Sequence, residues 1–156
     1  SDVQDEMTRE QDLREKASVD GLTGALNRKA AEQKINTLMQ DKECKGYLLM
    51  LDIDDFKTVN DTMGHAIGDL ALITLVKLLK EHFRREDIIG RLGGDEFIVF
   101  MTNTELASAV EAKGAEILHI LAKLFVFFPN NACFFFILHT LPSLRVFKNI
   151  PTICTF

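Results

Sequence analysis

The chain has 156 residues, 47% of them hydrophobic and 26% charged. That is enough for one packed domain, too short for two ordinary ones, and too apolar for a disordered chain. With 23 acidic against 18 basic residues the net charge is −5. This argues against non-specific binding to nucleic acid, which needs a basic face, but not against a nucleotide held through a metal ion. No apolar run approaches the roughly 18–20 residues of a membrane span, and the polar start carries no secretory signal. Cys44, Cys133 and Cys154 show no C-x-x-C spacing. They read as reduced thiols of a cytosolic protein rather than a disulfide frame or a zinc site.

Residues 1–16 read as a charged helix with Val3, Met7 and Leu13 near one face. It is either a solvated lead-in or the end of a coiled signalling helix, and the lack of an initiator methionine points to the second. A turn-rich stretch, Ser18-Val-Asp-Gly-Leu-Thr-Gly24, precedes a helix expected over 27–40. The apolar run at 46–52 ends in acids, as a buried strand with polar residues at its carboxyl end would. A short helix is expected over 54–62, then a loop punctuated by Gly64 and Gly68, then a helix over 69–84 that is apolar around most of its circumference. Strands over 87–92 and 96–102 flank a Gly-Gly-Asp hairpin. A helix over 104–125 follows, with Thr104 as its cap, and a last strand over 132–140. Strands mixed with helices, one adjacent pair forming a hairpin, give an α/β (α+β) class: a mixed central sheet flanked by helices.

Composition breaks after Glu116. All 23 acidic residues precede that point, whereas the last 40 residues hold none and contain eight of the twelve phenylalanines.

Two acidic motifs carry the chemistry. Asp52-Ile-Asp-Asp-Phe-Lys57 places three carboxylates at the end of an apolar strand, where their charge needs neutralising. A hard divalent cation would do this; alternatively Asp54 and Asp55 cap the following helix. Gly93-Gly94-Asp95-Glu96 adds two carboxylates at a turn whose glycines permit positive φ and close approach of a ligand. If the two strands are neighbours, Asp52 and Asp95 can share one cation.

Together these segments resemble the GGDEF domain, the catalytic domain of diguanylate cyclases. Three stretches carry the resemblance in order: Asp20-Gly-Leu-Thr-Gly-Ala-Leu-Asn27-Arg28; Asp52-Ile-Asp-Asp-Phe-Lys57-Thr-Val-Asn60-Asp-Thr-Met-Gly-His65-Ala-Ile-Gly-Asp69; and Arg91-Leu-Gly-Gly-Asp-Glu-Phe97. The resemblance implies a nucleotide-cyclase or polymerase-palm-like fold over 18–156, family-like to about residue 116, preceded by a signalling or linker helix over 1–17. It implies condensation of two GTP into cyclic di-GMP and pyrophosphate by a homodimer dependent on Mg²⁺ (or Mn²⁺). The domain is expected to be cytoplasmic, with an upstream sensory domain in a parent protein compatible with membrane anchoring. By the same resemblance, Asp52, the Ile53 carbonyl and Asp95 hold the metal. Asp95 takes up a proton, Glu96 supports the hairpin, and Lys57 stabilises transition-state charge. Asn60, His65, Asp69, Gly93 and Gly94 bind the nucleotide.

The residue types suit these roles, since a carboxylate at position 69 can accept from N1–H and the amino group of guanine, which adenine does not offer. Taken alone, Asn60 reads as a helix-terminal cap and His65 as a locally bonded turn residue. Arg84-Arg-Glu-Asp87 resembles the family's inhibitory site for product cyclic di-GMP; its bland reading is a polar helix end.

The resemblance fades after residue 116. The family's Ser-x-Gly strand and closing Tyr-x-Ala-Lys helix are not found, and Arg145 and Lys148 are the candidates for the missing bases. A frameshifted or degenerate ending would explain this, a hypothesis that fails if no alternative reading frame of the coding DNA restores the family's ending. The alternative function is therefore a catalytically inactive module that binds GTP or cyclic di-GMP for regulation.

Overall fold

The described residues form ten elements: α1 (Asp2–Ser18), β1 (Leu26–Asn27), α2 (Arg28–Met39), β2 (Gly46–Asp52), α3 (Phe56–Met63), α4 (His65–His82), β3 (Ile88–Gly93), β4 (Glu96–Thr102), α5 (Ala107–Leu124) and β5 (Arg145–Lys148). The computed structural model describes residues 2–53, 56–124 and 145–148. One five-stranded sheet runs in the order β1-β3-β4-β2-β5. β1 pairs parallel with β3, and every other pairing is antiparallel, so the sheet is mixed as expected.

Both faces of the sheet are covered, which explains why its central strands read as continuous apolar runs. Side chains of β4 alternate between two clusters. Ile98 and Phe100 join Leu48 under Ala31 and Ile35 of α2. Phe97, Val99 and Met101 join Leu49 and Leu51 under α4 and α5. Gly90 on β3 lets α2 lie close, since a Cβ there would be 2.6 Å from that of Ala31.

Several local expectations change. α4 begins at His65, four residues before the expected start, so Gly68 lies inside the helix while Gly64 alone breaks the chain, at φ 90° and ψ 157°. Only glycine adopts that conformation readily. Thr104 does not cap α5: its hydroxyl donates to the Thr102 carbonyl at 3.1 Å and accepts from Arg84 at 3.2 Å. β1 was not expected from the sequence. The strand expected over 132–140 lies outside the described residues, as do Cys133 and Cys154; Cys44 is a free thiol.

α1 buries none of its residues, and Val3, Met7 and Leu13 are exposed. Its end is nevertheless held. Asn27 caps α2 by accepting from Ala30 N–H at 2.9 Å, and its amide donates to the Ala17 carbonyl at 2.6 Å. Among the described residues no helix is long and apolar enough to cross a membrane.

Candidate functional site

Register brings the two acidic motifs together. β2 and β4 pair from Gly46 opposite Thr102 to Asp52 opposite Glu96. One residue further, the Ile53 N–H donates to the Asp95 carbonyl at 3.2 Å. Gly94 and Asp95 form the two-residue turn between Gly93 and its partner Glu96. Asp52 and Glu96 are exposed, and Asp95 is half-buried.

The described residues contain no cluster of three His, Cys, Asp or Glu side chains able to hold a metal, and Asp54 and Asp55 lie outside them. Candidate oxygen donors on the joined segments are the carboxylates of Asp52, Asp95 and Glu96 and the backbone carbonyl of Ile53. One or two carboxylates with a carbonyl fit a hard cation that completes its shell with phosphate and water.

The glycines of the hairpin act differently from expectation. Positive φ occurs at Gly24 and Gly64 but at neither Gly93 nor Gly94. A Cβ on Gly93 or Gly94 would meet nothing within 4 Å. These two positions therefore leave open space above the turn.

Arg91 organises that turn, a role the sequence did not assign. Its Nε and Nη2 donate to the Gly94 carbonyl at 3.0 and 2.7 Å, and its Nη1 donates to both carboxylate oxygens of Asp20. Asp20 also accepts from the Thr23 N–H and hydroxyl at 2.9 and 2.7 Å. Burial pushes the Asp20 carboxyl up, but the bonds from Thr23 and Arg91 outweigh it and hold the pKa below its ordinary value. Both residues belong to the motifs that carried the resemblance, which was the available signal.

Lys57 and Asn60 lie one turn apart on α3, and His65 and Asp69 one turn apart on α4. Lys57, His65 and Asp69 are exposed, and their side chains make no hydrogen bond or ion pair among the described residues. His65 therefore lacks the local bond of a turn histidine. The side-chain oxygen of Asn60 is buried with no hydrogen-bond partner, so it caps nothing.

Arg84 and Asp87 are brought together, but the Asp87 side chain is only 1% exposed. It accepts from the Arg84 N–H at 2.9 Å and the Thr102 N–H at 3.1 Å, with Arg84 Nη2 at 3.4 Å. Arg84 Nη2 also donates to the Thr102 carbonyl. Asp87 thus ties the entry of β3 to the end of β4. A cleft of about 720 Å³ between α1, α2 and the start of β3 includes Asp87 but no other expected site residue.

A mixed sheet whose acidic strand end lies against a Gly-Gly-Asp-Glu hairpin defines the GGDEF class of domain. The family model described as "Diguanylate cyclase, GGDEF domain" matches residues 17–130, and the chain belongs to that family. It is 42% identical over 98 residues to a probable diguanylate cyclase, DgcC, of Escherichia coli (strain K12), covering 60% of this chain and 26% of that protein. It is 44% identical over 94 residues to the diguanylate cyclase DgcN of the same strain, covering 59% and 23%. The chain thus spans about a quarter of the length of these curated relatives. Among solved structures, the coiled coil and GGDEF domain of DgcB from Caulobacter crescentus, in complex with c-di-GMP, superposes with a TM-score of 0.68 at 30% identity, covering 74% of this chain and 62% of that one. Diguanylate cyclase SiaD from Pseudomonas aeruginosa, in complex with its activator SiaC, gives 0.61 at 31% identity, covering 78% and 47%.

Proposed function

We propose that this domain condenses two GTP molecules into cyclic di-GMP with release of pyrophosphate, acting as a homodimer in the cytoplasm. The observation that carries this reading is the hydrogen bond from Ile53 to Asp95, which joins the strand end bearing Asp52 to the Gly-Gly-Asp-Glu turn. Asp52, Asp95 and the Ile53 carbonyl would hold Mg²⁺ or Mn²⁺, which neutralises charge on phosphate oxygens when bound. The Asp95 carboxylate accepts the proton of the attacking 3′-hydroxyl, and the exposed Lys57 ammonium faces charge developing on the phosphoryl group. Asn60, His65 and Asp69 hold the nucleotide, with Asp69 accepting from the guanine edge. Two domains are required because each contributes one nucleotide.

We further infer an upstream sensory domain whose signalling helix ends as α1; the coiled coil present with the GGDEF domain in the DgcB structure supports a helical lead-in. Arg84 and Asp87 supply a product-inhibition site for cyclic di-GMP, the ligand named for the DgcB domain.

GTP turnover with Mg²⁺ at high protein concentration, read as cyclic di-GMP by chromatography, tests this beside an Asp95→Asn control. Product from the wild type and none from the control is expected. GTP binding without product from the wild type overturns the enzyme and favours a regulatory binding module. The missing closing motifs after residue 116 support that second reading.

A further inference from the structure

Gly68 is buried inside α4, in a helix otherwise rich in leucine and alanine. Glycine weakens a helix interior because it has more conformational freedom to lose. Its backbone does not require glycine, since its φ is not positive. The packing does: a Cβ at Gly68 would lie 1.9 Å from Asn60 Oδ1 and 3.2 Å from the Phe56 ring.

Asn60 Oδ1 is thus packed on a bare Cα. It is a buried side-chain acceptor without a hydrogen-bond partner, in a residue that is itself only half-buried. The opposite orientation would bury a group with two donors, at greater cost. The amide therefore has a fixed polarity, with its acceptor inward and its donor left for a ligand.

We propose that Gly68 is a positioning residue for base recognition: it seats the Asn60 amide so that Nδ2 serves as a donor to a guanine acceptor, complementing the acceptor carboxylate of Asp69. This rests on the proposed guanine site. Guanine offers an oxygen acceptor beside its N1–H and amino donors, whereas adenine carries an amino group where guanine carries that oxygen. A donor and an acceptor from this chain match guanine and set donor against donor for adenine.

A double-mutant cycle of Asn60→Ala and Gly68→Ala, read by calorimetric titration with GTP and ATP and by thermal midpoint, tests the proposal. Gly68→Ala alone is expected to weaken GTP binding about tenfold, the order of one lost hydrogen bond to a ligand, and to narrow the preference over ATP. In the Asn60→Ala background it is expected to leave GTP affinity unchanged and to lower the thermal midpoint less than in the wild-type background, because the amide it would displace is gone and only the 3.2 Å approach to the Phe56 ring remains. Wild-type GTP binding with equal losses in both backgrounds, or no loss in either, overturns this role alone. Wild-type protein that binds no GTP overturns the proposed function and this role with it.

Discussion

Arg91 on β3 reaches the carboxylate of Asp20, 71 positions earlier in the chain, with Nη1 at 3.2 and 3.0 Å from its two oxygens. The same guanidinium holds the Gly94 carbonyl through Nε and Nη2. A planar fork with five donors can serve both partners at once; an ammonium point charge cannot. The side chains are 16% and 22% exposed, between a surface pair and a buried one. Arg91→Ala should therefore cost about 1–3 kcal/mol of stability. Turnover should fall further than stability, because the turn bearing Asp95 loses its anchor. Arg91→Lys should lose most of the turnover too. Urea unfolding with product formation checks this; full turnover in Arg91→Lys would show that the clamp is dispensable.

Asp20 also gives the domain an acid limb. Its carboxyl is held below its ordinary value despite burial, so the folded state binds its proton less readily than the unfolded state. The resulting stabilisation is fully present above the unfolded-state value of about 3.9 and is lost as pH falls through the lower folded value. Urea midpoints at neutral pH and through the range below about pH 4 should show a steeper acid decline for the wild type than for Asp20→Asn. Parallel declines would remove Asp20 from the explanation.

The two residues of the proposed inhibitory site should behave unequally. Asp87 satisfies the buried N–H of Thr102 and the part-buried N–H of Arg84, so Asp87→Ala strands the first and should cost about 1–3 kcal/mol for that unpaired donor. Arg84 is 47% exposed, and water can replace part of what it gives up. Arg84→Ala should lower the urea midpoint less than Asp87→Ala does and lose inhibition by added cyclic di-GMP, whereas Asp87→Ala should lose both the larger share of stability and the inhibition. Initial rates with and without added product separate the two. Retained inhibition in Arg84→Ala would place the product elsewhere.

What was legible in the sequence follows from which forces are local. β2, β4 and α4 are continuous apolar segments, and burial of the sheet on both faces writes that directly into the chain. β1 has two residues and no periodicity; its pairing with β3 alone makes it a strand. Gly68 looks like loop punctuation until Asn60, eight positions away, is seen against it. The acidic strand end and the hairpin were recognisable as motifs, but their contact depends on the register that sets Asp52 opposite Glu96. The clamp from Arg91 to Asp20 bridges too much chain for any spacing rule to find.

Register also separates the two bases of the divergent tail. β5 runs antiparallel to β2, with Arg145 opposite Met50 and Lys148 opposite Tyr47. Asp52 lies two residues beyond Met50 and five beyond Tyr47. At 3.4 Å per residue, Arg145 is placed about 7 Å along the strand from the acidic edge and Lys148 about 17 Å from it. In the proposed site, a triphosphate at Asp52 and Asp95 would reach only the nearer of these positions. Arg145→Ala should therefore weaken GTP binding and flatten its salt dependence, because one positive charge carried near the acidic edge is removed. Lys148→Ala should leave both unchanged. Calorimetric titration of the two proteins at low and high salt makes the comparison; equal losses would mean that register along β5 does not select the phosphate contact, and that the base lost with the family's closing helix is not replaced from this strand.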